Sequence, residues 1–202
     1  MAISALGPER VVGVDIDADR IMEARGRAGA ASGVEFHESP SEALPFQDGE
    51  FDGVLLNEVL EHVSDEIRTL QEAYRVLRPG GCLVIMSPNR WFPFEGHGVQ
   101  LGHRALLMPV PFVPYLPASI SSWFMRARNY WPGELADMAR AVGFTVQSSS
   151  SLFPTFEFYP CLPSAVVQLY RRLVPVLERA PLVRRFGVST AILAYKPLSG
   201  GS

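Results

Sequence analysis

The sequence is poor in lysine and cysteine and lacks a basic excess. Lys196 is the only lysine among 18 lysine and arginine residues, a bias that fits a GC-rich coding sequence and says nothing about function. Two cysteines, Cys82 and Cys161, exclude a disulfide framework and a four-sulfur zinc site. They leave a reducing cytoplasm as the expected setting. A formal net charge of -3 over 202 residues argues against a nucleic-acid-binding module. With 48% hydrophobic and 19% charged residues, the chain is not of disordered composition. Its length suits one domain with a substantial core and is short for two. The first seven residues have no basic start and little apolar length, so they do not read as a signal peptide.

An uninterrupted membrane span is lacking too. Residues 105–125 carry no charge and are long enough on paper to cross a bilayer. Pro109, Pro111, Pro114 and Pro117 fall inside them, and each removes a backbone donor that a helix needs. The wider segment 91–129 reads as a proline- and aromatic-rich flap. It is either a loop packed on its own domain or a lid over an apolar substrate or lipid surface.

What is present is an uneven charge distribution. Residues 1–80 hold 16 acids against 7 bases, and residues 81–202 hold 5 acids against 11 bases. One fold can carry both halves, so this split marks no domain boundary. Residues 1–197 are read as a single domain and 198–202 as a disordered tail.

Helix and strand signals alternate. Val11–Asp15 is β-rich, and Asp17 is placed to cap a helix with Ile21, Met22 and Ala24 inward. Gly33–His37 reads as a strand. Phe51–Leu56 is a continuous apolar run that suits a strand buried on both faces. Ser64 is an expected N-cap for a helix to Leu77, stopped by Arg78-Pro79-Gly80-Gly81. Cys82–Met86 is the next strand. Pro132 starts a helix that Gly143 closes. Phe144–Gln147, a helix over Ser164–Leu177 and a last strand over Val188–Tyr195 complete an α/β pattern of the doubly wound kind, mostly parallel with an antiparallel last strand.

Four segments in order carry a resemblance: Val12-Gly13-Val14-Asp15; Glu42-Ala43-Leu44-Pro45-Phe46; Phe51-Asp52-Gly53-Val54 with Glu58-Val59-Leu60-Glu61-His62-Val63; and Leu77-Arg78-Pro79-Gly80-Gly81. Together they resemble the class I S-adenosylmethionine-dependent methyltransferases, especially the small-molecule "type 11" group, over most of residues 10–146. The resemblance implies a Rossmann-like sheet, S-adenosylmethionine as cofactor and methyl transfer to a small-molecule acceptor. The family's first strand and glycine-rich turn do not precede Val11. The chain therefore reads as a fragment or as one whose start is assigned too late, with the missing strand expected between Val11–Asp15 and Phe51–Leu56. Residues 2–6 resemble the end of the helix after that turn.

The resemblance gives individual residues roles. Asp15, closing a strand, would accept from the ribose hydroxyls, and Ile16 would pack on the adenine. Glu42 and Leu44 line the adenine side. The acid expected a few residues before Leu-Pro-Phe is replaced by Pro40. Asn57 would stand beside the methionine part. An oxygen acceptor must lose a proton, and His62 and His97 are candidate bases because an unperturbed imidazole titrates near working pH. Glu58, Glu61 and His62 are spaced to share one helical face. They are read as solvated groups near a loop rather than as metal ligands. Arg90, Trp91, Phe94 and Glu95 are the candidate substrate contacts, polar groups among aromatic walls.

Arg171, Arg172, Arg179, Arg184 and Arg185 oppose only Glu178 between residues 161 and 186. That segment is either a helix covering the sheet or, with 105–125, a peripheral membrane contact for a lipid-like or isoprenoid acceptor. Two other functions compete. One is a non-catalytic methyltransferase-like protein that binds a partner or lipid. The other is a nicotinamide-dependent oxidoreductase, which Leu-Pro-Phe and Leu-Arg-Pro-Gly-Gly do not support.

Overall fold

The computed structural model describes residues 7–29, 33–95, 99–101, 104–106, 110–121, 123, 125, 127–153 and 164–198. Two sheets organise them. Strand β1 (Val11–Asp15) pairs in parallel with β2 (Val34–Glu38), joined through helix α1 (Ala18–Ala28). The second sheet contains β3 (Phe51–Asn57), β4 (Leu77–Pro88), β9 (Thr145–Leu152) and β10 (Ser189–Tyr195), in the order β3-β4-β10-β9. β3 and β4 are parallel, connected through α2 (Glu66–Val76). The last strand, β10, lies antiparallel between β4 and β9. This is the α/β architecture expected from the alternating pattern, with parallel pairs first and an antiparallel end.

β1 belongs to one sheet and β3 to the other, and no described strand lies between them. One consequence corrects the reading of β3 as buried on both faces. Leu56 is buried, but Leu55 is 44% exposed, because no described element covers its face.

The core sits on one face of the larger sheet. Leu83, Ile85, Ile192 and Ala194 alternate inward and pack with Leu70 and Ala73 of α2. Leu135 and Ala139 of α4 (Pro132–Val142) and Phe144 close it. α4 starts at Pro132 and ends at Gly143, whose φ of 113° is the left-handed geometry a helix stop needs. Lys196 closes the other helix: its ammonium donates to the Tyr74 and Leu77 carbonyls at the end of α2 and lies 4.6 Å from the Tyr74 ring centroid.

Several local readings change. Asp17 caps α1 as expected, accepting from the amides of Asp19 and Arg20. Ile21 is buried, but Met22 is 61% exposed, because α1 covers only the narrow β1–β2 pair. Asp65, not Ser64, caps α2. Arg78–Gly81 lies within β4 as an irregular stretch, where the register with β3 shifts from Phe51↔Leu77 to Gly53↔Cys82. The serine run 148–151 is part of β9, paired with β10.

The flap is built of short pieces. β5 (Phe94–Glu95) pairs with β8 (Val110–Pro111), and β6 (Val99–Leu101) with β7 (Arg104–Leu106). A 3₁₀ turn over Val113–Tyr115 and the short helix α3 (Ala118–Ser121) follow. After β9 come α5 (Ser164–Arg179), with Pro175 inside it, and α6 (Pro181–Arg184). Residues 2–6, His97 and residues 199–202 lie outside the described residues, so the readings placed on them stay expectations. Among the described residues no helix is long and apolar enough to cross a membrane.

Candidate active site

In parallel α/β sheets, chain reversals at the carboxyl ends of strands leave side chains free to meet ligands. Here the ends of β1, β3 and β4 carry Asp15, Asn57 and Asn89. Asp15 Oδ1 accepts from the Asp17 amide at 2.9 Å, which fixes the carboxylate, while Oδ2 lies 3.6 Å from Arg20. Ile16 beside it is 71% exposed. A fixed acceptor next to an exposed apolar side chain suits a sugar hydroxyl pair with an attached aromatic base. Asn57 is exposed at the end of β3. These residues are chemically suited to hold a nucleoside-bearing methyl donor.

The Leu-Pro-Phe segment has a structural cause that sequence reading missed. Arg75, on α2, donates to the Leu44 and Phe46 carbonyls, to Asp48 and to both Glu72 oxygens. Glu72 in turn accepts from the Leu44 amide at 2.8 Å. These Arg75 hydrogen bonds hold the buried Glu72 carboxyl below its ordinary range. The loop carrying Leu44 is thus clamped to α2. The Glu42 carboxylate is engaged nearby, accepting from Ser64 and Ser41. Burial alone would raise its titration, but its hydrogen bonds, first to its own backbone and then to Ser64 and Ser41, lower it.

Residues 58–65 do not form the helical face expected of Glu58, Glu61 and His62. They form a turn, and α2 starts only at Glu66. His62 is exposed. Glu61, read from sequence as solvated, is 3% exposed. Its Oε2 accepts from the Ser87 hydroxyl at 3.2 Å, and its Oε1 has no donor. Burial, followed by the neighbouring Glu58 carboxylate, pushes the Glu61 carboxyl up to about 8. Glu58 has a φ of 54°, an uncommon conformation for a side-chain-bearing residue and one concentrated at functional sites. Its amide donates to Met86 O, and its Oε1 accepts from Ser189 at 3.0 Å. Glu58 and Glu61 are neighbours; among the described residues no cluster has the makings of a metal site.

The aromatic wall is held by buried polar bonds. Asn89, 1% exposed, donates to the carbonyls of Arg185 and Gly187 and accepts from the Trp91 amide. This ties the end of β4 to the chain entering β10. Trp91 lies edge-on to Trp131 at 5.0 Å and to Phe186 at 6.0 Å. Arg90, expected at the acceptor, is engaged elsewhere. It donates to the Pro114 and Leu116 carbonyls, both at 2.8 Å, and sits over Trp131. In this way it secures the flap. Tyr115 adds a hydrogen bond to Trp91 O. Phe94 is 42% exposed, and Glu95 contributes backbone pairing to Val110. The side chain of Glu95, like His97, is outside the described residues.

Comparison with known proteins bears on the family and the fold. The family model described as "Methyltransferase domain" matches residues 1–85. An uncharacterized methyltransferase of Mycolicibacterium gilvum is 31% identical over 190 residues, covering 92% of this chain and 67% of that protein. A demethylmenaquinone methyltransferase of Geobacillus stearothermophilus is 31% identical over 147 residues, covering 69% of this chain and 62% of the relative. The chain thus spans about two thirds of the length of these two relatives. The crystal structure of an S-adenosylmethionine-dependent methyltransferase from Mesorhizobium loti superposes with a TM-score of 0.61 at 16% identity, over 95% of this chain and 82% of that one. Motif order, fold and relatives converge, and the chain belongs to the class I S-adenosylmethionine-dependent methyltransferases.

Proposed function

We propose that the protein transfers a methyl group from S-adenosylmethionine to an apolar, lipid-like or isoprenoid small molecule at the carboxyl edge of β1, β3 and β4. The observation that carries the acceptor class is the apolar surface around Trp91. Phe94, Phe112, Tyr115 and Phe186 are 42%, 68%, 38% and 44% exposed next to the strand ends. Such a rim suits a ring with a hydrocarbon tail better than a polar metabolite. The quinone substrate named for the G. stearothermophilus relative supports the same class.

In this reading Asp15 holds the ribose, Ile16 and Leu44 flank the adenine, and Asn57 orients the methionine part. The bound donor supplies an electrophilic methyl group, and the protein aligns the acceptor with it. His62, exposed beside Glu61, and His97 are candidates for removing a proton from the acceptor. A peripheral membrane contact extends the proposal. On α5, Leu169, Leu173 and Val176 form an outward stripe, 60%, 47% and 60% exposed. Arg172 and Arg179 are exposed beside it. An apolar stripe flanked by guanidinium groups suits an anionic lipid surface.

The test combines binding and turnover. Calorimetric titration with S-adenosylmethionine should show saturable binding, weakened about tenfold in Asp15→Ala, a loss of about 1.4 kcal/mol. Labelled methyl should reach a reduced isoprenoid quinone, faster in anionic than in neutral vesicles. A folded chain that binds no S-adenosylmethionine would favour the non-catalytic alternative and overturn the reading.

A further inference from the structure

The loop after β2, which borders the proposed donor site, has most of its polar groups already engaged. The Ala43 amide donates to the Pro40 carbonyl, and the Ser39 hydroxyl donates to the Ala43 carbonyl. Arg68 donates to the Glu42 carbonyl, while Glu72 and Arg75 hold the Leu44 amide and carbonyl. The Glu42 carboxylate accepts from Ser41 and Ser64, and the Ser41 hydroxyl also meets Thr69. Pro40 has no amide hydrogen to offer. What the loop turns to solvent includes the apolar side chains of Pro40, Ala43 and Pro45. Such a surface can pack on an aromatic base, but it offers the base little to read. Glu38, the residue that precedes the loop, takes part in none of these bonds. It ends β2 as Asp15 ends β1, and the two are register partners. Partners in neighbouring strands share one face of the sheet, with the strands about 4.8 Å apart. The Ser39 amide donates to the Asp15 carbonyl at 3.0 Å, so the loop leaves β2 directly beside the end of β1. Glu35, the other acid of β2, is engaged by Arg10 and points to the opposite face. Exposed Glu38 therefore stands next to Asp15 on the loop side.

We propose that Glu38 reads the base of the donor: its carboxylate accepts a hydrogen bond from the adenine amino group and selects that base. The proposal rests on the reading of Asp15 as the ribose acceptor, which sets where the base begins. From a ribose held at Asp15, the base extends past exposed Ile16 towards the loop. Adenine carries its amino group on the ring remote from the sugar, and that group is a hydrogen-bond donor. A carboxylate only accepts. It therefore favours an amino group at this place and repels a carbonyl oxygen. The side chain of Glu38 is one methylene longer than that of Asp15, which suits it to the more distant partner. Being charged, it forms the stronger class of hydrogen bond. Asp15 and Glu38 thus divide the nucleoside between them, sugar to one and base to the other.

The test is a binding comparison that needs no turnover. The full chain is titrated calorimetrically with two thioethers. One is S-adenosylhomocysteine, and the other is its analogue with hydrogen in place of the adenine amino group. Wild type should prefer the amino form about tenfold, the lower end for a hydrogen bond to a charged acceptor. Glu38→Ala should bind the two within about twofold of each other. Glu38→Gln keeps a carbonyl oxygen and should retain a preference of about threefold, as for a neutral acceptor. Neither substitution should move Tm, because Glu38 is exposed. Asp15→Ala should weaken both ligands and leave their ratio at the wild-type value. The same ratio in Glu38→Ala as in wild type would overturn the proposal, and so would a wild type that does not discriminate. A preference lost in Glu38→Ala, with Asp15→Ala binding both ligands like wild type, would keep the base contact and overturn the ribose assignment. Wild type that binds neither ligand would overturn both.

Discussion

In the four-stranded sheet, Leu83, Ile85, Ile192 and Ala194 are completely buried against two helices. In the β1–β2 pair every strand residue stays partly accessible, and Ile21 of α1 is the buried side chain beneath it. Both regions use the same strand–helix–strand unit, yet they are stabilised differently. The larger sheet rests on apolar burial that no single contact controls. The smaller one is joined to it at the surface, through Arg10, which bridges Glu35 of β2 and Glu50 before β3 and lies over the Phe51 ring. Asp15, the proposed ribose acceptor, stands on the lightly packed side, while Glu58 and Glu61 stand on the densely packed one.

Substitutions should expose this difference, and urea denaturation measures it. Leu83→Ala, at a fully buried position, should cost about 2–5 kcal/mol and shift the whole transition. Arg75→Ala should come next. It leaves Glu72 buried without its partner, costing about 1–3 kcal/mol. It should also flatten the acid dependence: the lowered Glu72 carboxyl contributes stability above 4.5 that is lost as pH falls through its native value. Val14→Ala on β1 should cost only about 1 kcal/mol, because its burial is partial. Arg10→Ala should move the midpoint least, since its partners are exposed and screened by salt. Yet it should speed amide exchange in β1 and β2 without affecting β4 and β10. A Val14→Ala loss equal to that of Leu83→Ala would show that the two regions unfold as one.

The sequence carried the backbone logic well where one residue type does one job. Pro132 and Gly143 bracket α4, Asp17 caps α1, and Asp15 closes a strand. These signals are local. Other features depend on contacts far along the chain. Arg90 looked like a ligand contact because its acceptors are carbonyls 24 and 26 residues away. Glu61 was expected to be solvated as an acid near a loop, but the turn buries it against Ser87, 26 residues on. The strand expected over Phe144–Gln147 runs on through Ser148–Ser151 to Leu152, because β9 is an edge strand ordered by its ladder with β10 rather than by burial. Arg75 passed unnoticed because two of its acceptors are the Leu44 and Phe46 carbonyls, which every residue carries alike, and Asp48 reaches it from 27 residues away.

The grip of Arg90 on the flap has an optical corollary. The guanidinium that holds the Pro114 and Leu116 carbonyls also lies over the Trp131 ring, 5.2 Å from its centroid. Trp91, edge-on to that ring, accepts the Tyr115 hydrogen bond from the same flap. Any departure of residues 114–116 therefore frees the guanidinium lying over one indole from its two carbonyls and takes a hydroxyl from the backbone of the other. Trp123, 87% exposed, emits as a solvated indole and can be replaced by phenylalanine without touching this pair. The molecule thus contains its own fluorescent gauge of flap seating, readable without an attached label.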